Sequence, residues 1–393
     1  MRDVLYLAWR YLAYHRLNTL ILTGSITLIV FLPAALNVLV GQSARELTAR
    51  AEATPLLVGA KGSPLELVLS SLYFESDTPA LATYALAVRL KETGLALPVP
   101  LYVRFQARGH PIVGTTLDYF GFRRLRVAAG RTMAVLGECV LGSAAAEGLD
   151  LEPGDSLVSS PESVFDLAGV YPLKMKVAGV LAPSYTADDR AVFVDLKTAW
   201  VIEGLVHGHQ DLSAPEAASA VLKRTGDTIT ANASVVQYNE ITAENIDSFH
   251  FHGDLSDYPV SAVITVPHDA KSGTILMGRY EGAEEVSQIV GPETVMTELL
   301  GTVFTVQGFV VAALALVALA TAATAALVFS LSYRLRRREI ETLVKIGGAR
   351  PSIAVLLVSE VVVVLLTSVL LAGALTFLTS RFGSEVIRAV LAS

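Results

Sequence analysis

Four of the seven histidines in this 393-residue chain fall in two H-x-H pairs, His207 and His209 in "HGH" and His250 and His252 in "HFH". Side chains on a strand alternate between faces, so H-x-H presents two imidazoles side by side. That spacing suits a borderline transition metal such as Zn2+ or Cu2+, for which neutral imidazole nitrogen is a preferred donor. Asp254 and His268 are further candidate ligands. The alternative is four solvated loop histidines, because nothing in the sequence brings the two pairs together.

A second constellation lies near the C-terminal end, in "LRRREIETLVKIGGARPS" (335–352). Ile340, Leu343 and Val344 share one face of a helix by i, i+3, i+4 spacing. Arg336, Arg337, Arg338, Glu339 and Glu341 supply a polar rim to that face. Gly347 and Gly348 end the helix, and Pro351 disfavours further helix at Arg350 while suiting the first turn of the next one. A short rod of this kind can lay its apolar face in a groove on a partner. The plainer reading is that the basic cluster only fixes membrane topology. A third candidate is Glu360, a lone carboxylate inside an apolar run, which is costly unless it faces protein or water. It is either functional or a helix-to-helix hydrogen-bonding group, and no second buried carboxylate or His accompanies it to form a proton relay.

Other chemistry is excluded by pattern. "VGAKGS" (58–63) is not a phosphate loop, because G-x-x-x-x-G-K-[ST] needs Lys directly before Ser or Thr, and here Gly62 intervenes. No other Walker-type motif and no G-x-S-x-G occurs. The single cysteine, Cys139, permits no intrachain disulfide and falls in an apolar strand pattern, where it reads as core. The chain is therefore expected to be a non-catalytic subunit.

The elements that must position these residues follow from hydropathy. The chain is 52% hydrophobic, and its apolar residues concentrate in runs near the two ends. A bilayer core needs about 20 helical residues. Residues 17–40 and 303–330 carry no charge, and 353–379 carries only Glu360. The predicted organisation is a cytoplasmic amphipathic helix at 1–16, membrane helices at 17–40, 303–333 and 352–380, a cytoplasmic helix at 334–351 and a short tail at 381–393. The first run is too long for a signal-peptide core and is read as retained. Lys and Arg flank the inner ends, so 1–16 and 334–351 are cytoplasmic and 41–300 is outside. That outer region holds 32 acidic and 19 basic residues, a balance that repels nucleic acid.

Within 41–300 the pattern predicts a mixed α+β domain on helical stalks. Residues 41–53 continue the first helix. Residues 55–74 read strand, glycine loop and helix, and 96–116 read as two strands around a turn. Residues 138–160 read strand, helix, strand, while 173–200 read strands and then a helix. Residues 258–280 read strand then helix, and 282–300 return to the membrane with helical character.

The order of these parts, with R-R-E-I-x-x-L-x-x-x-G-G-A-R and a Glu about ten residues into the third apolar run, resembles the FtsX-like, MacB-type permease family of ABC transporters. Arg338, Glu339, Ile340, Leu343, Lys345, Gly347, Gly348, Ala349 and Arg350 carry the resemblance, as does Glu360. "VLGSAAAEGLDLEPGDSL" and "DDRAVFVDLKTAW" look like phrases of the family's exported domain. The resemblance implies a bacterial inner-membrane permease subunit whose coupling helix docks on a separate cytoplasmic ATPase dimer. ATP and Mg2+ are bound by that partner. It also implies a homodimer or a related permease partner, a periplasmic protein partner, and action on a lipoprotein, peptide or other amphiphile. The family usually has four membrane helices, whereas three are predicted here. An alternative function is a signalling or regulatory subunit that relays ATPase state to a periplasmic partner, with or without a metal.

Overall fold

A computed structural model of the chain describes all residues except 1–5, 7–8, 11, 76–78, 161–171, 209–220, 226–227, 232–237, 283–284, 336, 346–349 and 392–393. The chain divides into two compact units, one of Thr48–Thr297 and one of Met1–Leu47 with Glu298–Ser393.

In chain order the elements begin with α1 (Arg16–Glu52), β1 (Leu56–Ala60), α2 (Pro64–Val68), β2 (Ala82–Thr83) and α3 (Ala85–Glu92). Next come β3 (Ala96–Ala107), β4 (His110–Thr115), α4 (Leu117–Arg123), β5 (Val127–Gly130), β6 (Glu138–Leu141) and α5 (Ser143–Leu149). They continue through β7 (Ser156–Val158), β8 (Lys174–Leu181), β9 (Val192–Asp195), α6 (Leu196–Ile202), β10 (Val206–Gly208), β11 (Val221–Thr225) and β12 (Thr228–Ala231). The last are β13 (Phe249–Phe251), β14 (Pro259–Val260), β15 (Ala262–Pro267), α7 (Ala270–Arg279), β16 (Ser287–Val290), α8 (Pro292–Leu335), α9 (Arg337–Lys345) and α10 (Arg350–Leu391).

The Thr48–Thr297 unit is built on one mixed sheet in the order β16-β1-β15-β3-β4-β9-β6-β8-β5, with β7 also on β8. The pairs β4–β9 and β6–β8 are parallel and the rest antiparallel. Central strands are largely apolar, as expected of strands covered on both faces: Cys139, Val140 and Leu141 of β6 and Val192, Phe193 and Val194 of β9 are fully enclosed. Leu86 and Leu90 of α3 and Ala199, Trp200 and Ile202 of α6 join Tyr102, Ile112 and Val194 in the core. Edge-to-face rings tie Tyr84 to Trp200 at 5.6 Å.

One polar group is buried in this unit at high cost and fully partnered. The Arg50 guanidinium donates to both Asp188 oxygens, at 2.7 and 2.8 Å, to the Tyr119 hydroxyl at 2.8 Å and to the Leu72 carbonyl. Tyr119 in turn donates to Asp188 at 2.6 Å. Arg50 is 7% and Asp188 1% exposed, so desolvation is close to complete. Burial pushes the Asp188 carboxyl up, but the Arg50 charge and the hydrogen bonds from Arg50 and Tyr119 outweigh it and hold the group below its usual range. Asp188 stands on a short 3-10 turn (Ala187–Arg190) whose backbone passes close to Gly142. A Cβ at Gly142 would lie 2.2 Å from the Asp188 carbonyl, so only glycine fits there.

Three helices, Arg16–Glu52, Pro292–Val328 and Val358–Gly383, which make up most of the second unit, are long and apolar enough to cross a membrane. Helix α8, at 44 residues, measures about 66 Å, roughly twice a hydrocarbon core. Its Phe309, Leu316, Leu319 and Leu327 are exposed, the surface expected of a helix solvated by lipid tails. Helices α1 and α10 pack through small polar groups, a common device where no hydrophobic effect drives association. Thr27 Oγ1 donates to the Ser368 carbonyl at 3.3 Å, Ser368 Oγ donates to the Thr23 carbonyl at 3.2 Å, and Gln42 Nε2 donates to the Ser380 carbonyl at 2.9 Å. Gln307 Nε2 of α8 donates to Asn37 Oδ1 of α1 at 3.3 Å.

Two expectations are corrected. Residues 287–290, expected to be helical, form β16, because the exposed edge of β1 offers Leu57, Val58, Gly59 and Ala60 as ladder partners. Helix starts only at Pro292, where the fixed φ of proline suits the first turn. The expected tail at 381–393 instead continues α10 as helix to Leu391.

The buried ion pair generates a stability prediction. Asp188→Asn in the Thr48–Thr297 unit leaves Arg50 charged and uncompensated and should cost about 3–5 kcal/mol by urea unfolding. The pair Arg50→Met with Asp188→Leu should cost less than Asp188→Asn alone. Because the folded Asp188 value is depressed, its contribution is present above the ordinary carboxylate range, about pH 4, and is lost as pH falls through the lower folded value. Asp188→Asn should flatten that acid limb.

Candidate functional site

Strands β10 and β13 pair antiparallel, with Val206 opposite Phe251, His207 opposite His250 and Gly208 opposite Phe249. Val206 and Phe249 are buried in the core, at 1% and 9% exposure. The two-residue period of a strand then turns His207 and His250 to the other face, and His252 follows His250. A Cβ at Gly208 would lie 2.6 Å from the Phe249 ring, so the strand can lie this close only with glycine between the two histidines of "HGH".

The three rings form one cluster. Centroids stand 4.9 Å apart for His207–His250, 5.0 Å for His207–His252 and 4.7 Å for His250–His252. One ring nitrogen from each lies within 4.8 Å of the others. His207 and His250 are half-buried and His252 is exposed, so the group is open on one side. His250 Nδ1 sits 3.0 Å from the Ser248 carbonyl. That carbonyl only accepts, so Nδ1 carries the proton and Nε2 the lone pair in the neutral ring. The backbone of His252 is gripped by Tyr258, whose hydroxyl accepts from the His252 N–H at 2.9 Å and donates to its carbonyl at 3.0 Å. Tyr258 packs on Trp200 at 4.8 Å, and Trp200 Nε1 donates to the Pro259 carbonyl at 2.8 Å. An aromatic stack rooted in the core thus fixes the backbone that carries the exposed ligand.

The other proposed ligands are not part of the group. His209 lies outside the described residues. Asp254 accepts from the Ser256 N–H at 2.8 Å to cap a short turn, and that bond holds its carboxyl below the usual range. His268 follows β15, with its N–H donating to the Leu95 carbonyl, and is not in the cluster. What the sequence did not reveal were the supports, Tyr258 and the Ser248 carbonyl; the aromatic pair Trp200 and Tyr258 gives no local signal of a role beside the histidines.

The C-terminal candidates fall on separate elements. Arg337, Arg338, Glu339, Ile340, Leu343 and Val344 all lie on the nine-residue helix α9, between two long apolar helices. Arg337 Nε pairs with Glu341 at 3.2 Å across one turn, an exposed contact worth little by itself. Arg350 opens α10, while Arg336, Gly347 and Gly348 lie outside the described residues. Glu360 is 6% exposed within α10. The "VGAKGS" segment runs from the last three residues of β1 through a bend to Ser63, which accepts from the Glu66 N–H at 3.3 Å and caps α2. Cys139 is fully buried in β6, and burial pushes its thiol up to about 12, which leaves it an inert thiol.

The MacB-like periplasmic core domain matches residues 20–238, more than half of the chain. No curated protein matches the sequence. Among solved structures, the extracellular domain of the noncanonic ABC-type transporter YknZ from Gram-positive bacteria is similar at 15% identity and TM-score 0.32, over 60% of this chain and 98% of that one. The periplasmic region of MacB from Actinobacillus actinomycetemcomitans is similar at 11% identity and TM-score 0.34, over 66% of this chain and 97% of that one. With a family domain over residues 20–238 and three helices of membrane length, the chain belongs to the FtsX/MacB-like permease family of ABC transporters.

Proposed function

We propose that this chain is the permease subunit of a bacterial inner-membrane ABC transporter. It couples ATP hydrolysis by a separate cytoplasmic ATPase dimer to movement of its extracytoplasmic domain, as a homodimer or with a related permease. Its object is a lipoprotein, peptide or other amphiphile handled on the outer side. The reading is carried by α9, a short, strongly amphipathic helix with an arginine at each of its first two positions, set between two helices of membrane length. Each crossing reverses the side on which the chain emerges, so one crossing by α8 puts α9 opposite the domain that precedes it. An apolar face of Ile340, Leu343 and Val344 then meets an apolar groove on the ATPase, while Arg337 and Arg338 set register at its rim. Nucleotide-driven closure of the ATPases moves the rod, and long continuous helices carry the displacement as a rigid body. ATP and Mg2+ stay with the partner, since this chain has no phosphate-binding motif.

Two outcomes check this reading. In intact cells, a cysteine at Arg337 should resist a membrane-impermeant maleimide and react only after permeabilisation, whereas a cysteine at exposed Lys61 should react at once. Buried Cys139 keeps the background low. Labelling of both positions in intact cells would overturn the topology. Leu343→Asp should abolish co-purification of the ATPase and Leu343→Met should retain it; equal recovery with both would remove α9 as the coupling surface.

A further inference from the structure

We propose that His207, His250 and His252 form a binding site for one divalent transition-metal ion of the Zn2+ class in the Thr48–Thr297 unit, independent of the ATPase-coupling reading. The first observation is the placement of the three rings. Two ligands come from directly opposed positions of paired strands, and the third, His252, directly follows the last residue of β13. Their ring nitrogens already lie within 4.8 Å of one another. Tetrahedral Zn2+ ligation at about 2.05 Å sets nitrogen pairs about 3.3 Å apart. The remaining gap closes by side-chain rotation, to which exposed His252 is suited.

The second observation is the outer support. The His250 Nδ1–H donated to the Ser248 carbonyl fixes the tautomer that aims Nε2 as a ligand, an arrangement typical of metal-bound histidine. Tyr258 holds the His252 backbone by two hydrogen bonds. The donor set selects the ion: three imidazoles and no carboxylate in the group favour Zn2+, Cu2+ or Ni2+ over Ca2+ and Mg2+, which want oxygen. Three ligands leave a fourth position for water or another donor. A bound ion would link β10 to β13 across the intervening chain and stabilise the folded unit by mass action.

The test uses the full-length protein in detergent, purified by a non-histidine tag, stripped with chelator and dialysed against Zn2+ alone. Expected are one retained Zn2+ per chain, a rise in Tm with Zn2+ but not with Ca2+, and Co2+ d–d absorption bands of a nitrogen-ligated ion. His252→Gln, at an exposed position that the fold does not need, should lose retention and the Tm rise while keeping the metal-free Tm. His250→Ala should do the same, and His268→Gln should behave as wild type. Wild-type protein that holds no more Zn2+ than His252→Gln, or an equal loss in His268→Gln, would overturn the site.

Discussion

Water is absent from the bilayer core, so a chain that enters it must satisfy its backbone internally and leave by the far side. That constraint organises this molecule. Helices α1, α8 and α10 have the length and apolar surface to cross, and their exposed leucines and phenylalanines need no protein partner if lipid surrounds them. Some of the polar residues these helices carry join α1 to α10: Thr27 bonds the Ser368 carbonyl, Ser368 the Thr23 carbonyl and Gln42 the Ser380 carbonyl, while Glu360 is buried within α10. Between α8 and α10 stands the short helix α9, which begins with two arginines. On either side of α9 stands a helix long and apolar enough to cross a membrane.

The Thr48–Thr297 unit solves a different problem, holding a wide mixed sheet together with no disulfide. It does so with enclosed apolar strands and, among the described residues, the buried Arg50–Asp188 pair. The Arg50 fork satisfies both Asp188 oxygens, Tyr119 satisfies what remains, and Arg50 also reaches the Leu72 carbonyl. Because Arg50 stands in the last turn of α1 and Asp188 in a turn before β9, the pair ties the first segment of the unit to the middle of its sheet. Desolvation offsets much of the attraction within such a pair, but loss of either partner leaves a buried group uncompensated.

The sequence disclosed what is written in local period. The two-strand reading of 96–116, the strand–helix–strand reading of 138–160 and the three apolar runs carry their structure in neighbouring side chains, and α9 shows its apolar face in three residues. Long-range pairing is not written locally. Arg50 and Asp188 are 138 positions apart, and neither has a neighbour that marks it. Strand β16 is four residues long and exists because β1 presents an edge. The histidine cluster stood between these cases: each H-x-H was legible as two imidazoles on one face, but only the register of β10 on β13 brings His207 opposite His250.

The most direct test of the central claim is site-specific photo-crosslinking along α9 in intact cells. A benzophenone side chain replaces in turn each residue from Arg338 to Val344, and adducts with a nucleotide-binding protein are scored. A helical pattern is expected, with strong adducts from positions 340, 343 and 344, weak ones from 338 and 342, and yields that change when ATP hydrolysis is blocked. Adducts of equal strength from every position, or none with any ATP-consuming protein, would contradict a groove-docked coupling helix.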